Sequence, residues 1–224
     1  MTQRAVRKTK KTESQSQKVK DIQPVTDNHR DYIRSIVEND VTICTGPSGS
    51  GKSYICSGLC SQWLHKGQYQ QIIVTRPLVS AGQNIGALPG EMGDKIAPYL
   101  MPMQENFTHF LGQAFYGHYL NNKQIRYEPF ETMRGATFNN SLMILDEAQN
   151  CTLNQIKMFI TRIGKGSKVI INGDVKQTDI RKWSGLAESI RKIGHVEGVG
   201  IVTLTIDDIQ RNGIIGRILN AWEA

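Results

Sequence analysis

The chain has 224 residues, 39% of them apolar, and a formal net charge of +7; that length and apolar content can build one sizeable core or two small ones, and the coarse pattern favours one. No stretch approaches the roughly 18 consecutive apolar residues of a membrane span, and the N-terminus lacks the apolar run of a secretory leader, so a cytoplasmic location with no membrane partner is expected. The charge is a property of one end: residues 1–20 hold seven Lys/Arg against Glu13, a charge of +6, which leaves only +1 for residues 21–224.

That basic segment is rich in Thr, Gln, Ser and Lys and too poor in apolar side chains to bury much surface. Residues 1–22 are therefore expected to form a disordered tail, either a solvated arm or a non-specific contact to nucleic acid, ahead of one domain over 23–224. Within the domain, residues 28–38 carry Tyr32, Ile33, Ile36 and Val37 at helical spacing. This helix would lie near the base end of a nucleotide held by the loop that follows, where Tyr32 or His29 could contact an adenine.

Residues 41–53 then read as a buried strand running into Gly46-Pro47-Ser48-Gly49-Ser50-Gly51-Lys52-Ser53, the spacing of a phosphate-binding loop. Residues without Cβ let successive backbone N–H groups converge on one anion. Lys52 adds a mobile cation for the phosphates, and the Ser53 hydroxyl is placed to ligate Mg²⁺. A helix over 52–65 would direct its N-terminal dipole at the same anion.

A β-branched strand over 71–75 leads to Arg76, a candidate for nucleic acid or phosphate contact, and to a loop-like, Pro- and Gly-rich stretch over 76–102. A helix over 103–120 with an aromatic stripe follows, then a short strand near 124–130. The apolar run Leu142-Met-Ile-Leu145 ends in Asp146 and Glu147. Ionised groups at a buried strand end need a partner. Asp146 would hold Mg²⁺ through its water shell, and Glu147, pointing elsewhere, would polarise an attacking water. Next come a helix over 153–163 with Arg162 near its end, and a strand over 168–172 that opens into Gly173-Asp174 and Gln177, a neutral amide suited to sensing a γ-phosphate. A helix over 183–193, a strand over 200–205, Arg211 and a terminal helix from about 212 to 223 complete an α/β domain. The four cysteines, Cys44, Cys56, Cys60 and Cys151, show no paired zinc spacing and read as buried apolar residues.

The phosphate loop, Thr75-Arg-Pro77, Leu88-Pro-Gly90, Arg134-Gly135, Leu145-Asp-Glu-Ala-Gln149, Thr161-Arg-Ile-Gly164, Gly173-Asp174 with Gln177, and Ser184-Gly-Leu186 together resemble the PhoH-like ATPase family over roughly residues 25–222. The resemblance implies a single RecA-like P-loop NTPase domain, with a mostly parallel sheet flanked by helices, related to the core of superfamily 1 helicases. It further implies ATP and Mg²⁺ as cofactors, and hydrolysis coupled in some members to RNA or single-stranded DNA, often in a ring. Two positions depart from the family pattern. His29 stands where the family tends to carry a glutamine that reads adenine, and the segment around Arg211 reads Ile-Gln-Arg-Asn. Superfamily 1 helicases place a transition-state arginine on a second core domain that this chain has no room for. A hexamer with Arg211 or Arg162 acting across subunits would supply one, an effect worth about 10³–10⁵ in rate where an arginine finger operates. Two rivals use the same loop: a nucleotide-gated assembly protein with slow turnover, and a small-molecule kinase, which usually lacks an acid directly after the strand-end Asp.

Overall fold

In the computed structural model, residues 18–77, 92–177 and 184–210 are described, with positions 214, 218 and 221 in addition. Six strands form one parallel sheet in the order β3-β2-β4-β5-β1-β6: β1 Val41–Thr45, β2 Gln71–Thr75, β3 Ile125–Tyr127, β4 Ser141–Leu145, β5 Lys168–Gly173 and β6 Val199–Thr203. The helices are α1 Asp27–Glu38, α2 Lys52–His65, α3 Met92–Asn121, α4 Leu153–Ile160 and α5 Gly185–Ile193. Alternate strand residues feed two cores. Ile72, Val74, Leu142, Ile144 and Ile170 pack with α1, α2 and α3 on one face. Ile73, Met143, Leu145, Val169 and Ile171 pack with α4 and α5 on the other. A strand covered on both faces reads as an unbroken apolar run, which is the pattern of β4. Each such side chain contributes roughly 1.5–3 kcal/mol by burial.

Register fixes the site. β1 lies between β5 and β6, with Val41 opposite Val169 and Val199, while β4 lies between β2 and β5. The C-terminal ends of β1, β2, β4 and β5 therefore meet along one edge, where open parallel sheets bind ligands.

Two boundaries differ from expectation. The domain starts before residue 23: Val19 is buried, Ile22 packs on the core, and the Lys20 N–H donates to the Phe110 carbonyl at 2.9 Å. Two apolar side chains three residues apart suffice to dock this short stretch, and they are easily overlooked between lysines. Helix α3 begins at Met92, inside the Pro- and Gly-rich stretch expected to be loop: Pro98 and Pro102 act as breakers in a local reading, yet the helix carries both. It is two helices meeting at Gly112, where φ is 75° and ψ 156°. Its aromatic stripe is core: Phe107 and Phe110 are fully buried. All four cysteines are free and buried, and burial pushes the Cys56 and Cys151 thiols up to about 12. Among the described residues, no helix is long and apolar enough to cross a membrane. The expected disorder of residues 1–17, the Leu88-Pro-Gly90 segment, Arg211 and most of the terminal helix lie outside the described residues.

Candidate nucleotide site

The loop from Gly46 to Gly51 leaves β1 and enters α2 through left-handed backbone. Gly51 caps the helix at φ 95°, and Gly46 has φ 148°. At Gly46 a Cβ would lie 2.5 Å from the Leu204 carbonyl oxygen, so both the dihedral and the close approach require glycine. The end of β5 and the segment after β6 brace the loop. The Gly46 N–H donates to Gly173 O at 3.2 Å and the Gln210 N–H to Gly49 O at 3.3 Å. Ser50 Oγ donates to Pro47 O at 2.8 Å. The Lys52 ammonium spans the loop, donating to the carbonyls of Gly46 at 2.6 Å and Pro47 at 2.9 Å.

Ser53, in the first turn of α2, donates through Oγ to Asp146 Oδ1 at 2.8 Å. Asp146 is only 3% exposed. Burial pushes its carboxyl up from the ordinary range and neighbouring Glu147 adds to that, while the Ser53 hydrogen bond, Arg76 and Lys52 pull it down. A divalent cation would offset the cost of burying that charge, and a buried carboxylate beside a hydroxyl is the hard-oxygen donor set that Mg²⁺ takes with waters and phosphates. The two residues fit such an ion.

Glu147 turns the other way. Its backbone is left-handed, φ 55° and ψ 41°, uncommon for a residue with a side chain and a frequent feature of functional sites. Its Oε1 pairs with Arg76 Nη2 at 3.2 Å, and its Oε2 accepts from Gln149 Nε2 at 2.5 Å. Gln149 in turn accepts, through Oε1, from the Asp174 N–H at 3.0 Å. The tip of β4 is thereby tied to the ends of β2 and β5. A cleft of about 690 Å³ gathers Lys52, Ser53, Arg76, Asp146, Glu147, Gln149, Asp174 and Gln177.

Other predicted residues have different places. Tyr32 is fully buried and its hydroxyl donates to Asn172 Oδ1, so it offers no face to a base. It packs among the residues under the loop, as its helical spacing with Ile36 allows. His29 lines the cleft but is 2% exposed. Its Nδ1 accepts from the Val25 N–H at 3.3 Å, which makes Nε2 the donor to the Ser50 carbonyl at 2.8 Å. Both ring nitrogens are thus engaged by backbone, and His29 braces the phosphate loop instead of reading a base. Arg162 lies at the opposite edge of the sheet, where Phe138 bridges Ile163 ahead of β4 and β5. Its guanidinium reaches Ala136 O and Thr161 Oγ1, both at 3.2 Å. The contact of Arg76 with Glu147 and that of Asp174 with Gln149 cross between strands and carry no sequence spacing; Gln149 two residues after Glu147 is the one local signal.

A glycine loop at the end of β1, with Ser53 and Asp146 converging across the sheet, defines a P-loop NTPase domain of the RecA-like kind. The comparisons with known proteins agree. The sequence matches the family described as PhoH-like protein over residues 21–223. It is 38% identical over 200 residues to a PhoH-like protein of Synechocystis, covering 88% of this chain and 61% of the relative. It is 37% identical over 208 residues to one from Bacillus subtilis, covering 92% and 65%, and 37% identical over 195 residues to Protein PhoH of Escherichia coli, covering 85% and 55%. The chain belongs to the PhoH-like family and spans a little over half to about two-thirds of the length of these relatives. In fold it is similar to the large terminase of a thermophilic bacteriophage in complex with ADP, with TM-score 0.53 and 12% identity over 87% of this chain and 49% of that one.

Proposed function

We propose that this domain hydrolyses ATP with Mg²⁺ and couples hydrolysis to RNA or single-stranded DNA. The observation that supports it most is the divergence of two adjacent acids at the tip of β4: Asp146 is buried against Ser53, while Glu147 is turned by its left-handed backbone into the cleft that Gln177 also lines. One acid is suited to a cation and the other to a water. The loop amides and Lys52 would hold the β and γ phosphates. Ser53 and Asp146 would hold Mg²⁺, which when bound neutralises charge between those phosphates. Glu147 would take a proton from a water as its oxygen bonds the γ-phosphorus; the bond to the bridging oxygen breaks and ADP leaves. Gln177 would hydrogen-bond the γ-phosphate and lose that bond after cleavage.

The resemblance to helicase-related ATPases and the +6 charge of residues 1–20 support a nucleic acid partner. A transition-state arginine would come from a neighbouring subunit in a ring, hexameric by analogy, with Arg211 or Arg162 acting across subunits. A switch with slow turnover is the second reading, favoured by one observation: both Glu147 oxygens are held by protein donors. Steady-state hydrolysis should be stimulated by single-stranded RNA or DNA and should fall per chain on dilution to monomers. Hydrolysis indifferent to nucleic acid would remove the motor reading, and a rate per chain unchanged in proven monomers would remove the ring.

A further inference from the structure

We propose that Arg76 is a latch on Glu147, holding the general base until an anionic strand draws the guanidinium away; the inference rests on the hydrolytic reading above. Arg76 directly follows β2, the strand beside β4. One arm of its fork donates to Glu147 Oε1 at 3.2 Å and the other to the Tyr99 carbonyl, in α3, at 2.9 Å. Gln149 occupies the other carboxylate oxygen. A carboxylate with both oxygens accepting from protein donors is a poorer acceptor for the proton of an attacking water.

The two holds differ in kind. Gln149 is 5% exposed and is itself fixed by the Asp174 N–H, so it is a permanent brace. The Arg76 side chain is 20% exposed, lines the cleft, and has a main-chain carbonyl as its second partner. A phosphate diester offers a guanidinium two charged oxygens in the geometry of its fork. A strand phosphate near the end of β2 would therefore compete with Glu147 for Arg76. Because the left-handed backbone of Glu147 fixes its direction, release leaves the carboxylate aimed into the cleft. Arg76 is thus a positioning residue that joins strand binding to the base, and no part of the phosphate site needs to move.

The test is kcat and KM for ATP in wild type, Arg76→Ala and Arg76→Lys, with and without single-stranded oligouridylate or oligothymidylate. A partly exposed ion pair changes a population by about two- to fivefold, so R76A should raise kcat without nucleic acid by about that factor with KM unchanged. Its stimulation ratio should fall to one, R76K should lie between, and R76A/E147Q should be inactive. Faster R76A without any stimulation of the wild type would keep the hold on Glu147 but overturn its release by a strand, and would remove the nucleic acid reading. A wild type silent with and without strand beside an active R76A would likewise keep the hold and overturn the release. Hydrolysis by the wild type with an R76A kcat equal or lower would overturn the latch alone, leaving the hydrolytic reading intact. Silence of both, with ATP bound, would remove both.

Discussion

Replacing His29 with alanine separates a brace of the phosphate loop from a reader of the base. The ring joins the Val25 N–H to the Ser50 carbonyl. Val25 is 60% exposed, so water can take over its N–H, whereas Ser50 is fully buried and its carbonyl would be left without that donor. An unsatisfied buried acceptor costs about 1–3 kcal/mol. The lost packing of a ring that is 2% exposed adds about 1 kcal/mol. The sum, about 2–4 kcal/mol, corresponds to a Tm lower by about 6–12 °C at ~3 °C per kcal/mol for a chain of this size. A loosened loop that must be ordered on binding, at about 1 kcal/mol, weakens ATP and GTP alike by about fivefold. Thermal melts and titration calorimetry with both nucleotides measure the two effects. An unchanged Tm together with a tenfold change in the ratio of ATP to GTP affinity would refute the brace and restore base reading.

Asp208 accepts from Asn28 Nδ2 at 2.8 Å and from the Thr205 N–H at 2.6 Å. Burial raises its carboxyl, but hydrogen bonds from the Thr205 backbone, Thr26, Asn28 and the Thr205 side chain together hold it below the usual carboxylate range. A lowered folded value means that its stabilisation is full above the unfolded value of about 3.9 and is lost as pH falls through the folded one. The Tm gap between wild type and Asp208→Asn should thus be wide at about pH 7 and close below about pH 4; a constant gap to about pH 3 would contradict this. Asp146 has the opposite sign, since its folded value is raised. Its ionised form costs stability above the unfolded value, so Asp146→Asn should melt higher than wild type without nucleotide at about pH 7 and lose the extra stabilisation from Mg²⁺ with ATP. A lower melting temperature without nucleotide would show that the charge is already compensated.

The phosphate loop was legible because its chemistry is local: glycine dihedrals, a lysine and a serine all lie within eight residues. Asp146 and Glu147 were legible because charge at the end of a buried strand needs a reason. That Glu147 points away from Asp146 is expected one residue on from a strand end; its left-handed backbone is what no residue type at 147 announces. The arrangement around Glu147 was hidden for a different cause. Arg76 reaches Glu147 from the end of β2 and Asp174 reaches Gln149 from the end of β5, so the contacts exist only once β2, β4 and β5 are in register. The place of His29 and Tyr32 ahead of the loop allows either to contact a nucleotide base. Helical spacing shows that α1 has a buried face, but not that this face reaches Ser50 and Asn172. Nothing in the sequence marks Val19 as core, because a single valine among lysines carries no periodicity.

The most direct measurement compares ATP binding and turnover in wild type and Glu147→Gln with Mg²⁺ present. Glutamine keeps the size and the contact with Arg76 but cannot take the proton of the attacking water, so binding should persist while turnover falls by about 10²–10⁴-fold. Turnover equal to wild type would show that Glu147 is not the base and would contradict the hydrolytic mechanism at its centre.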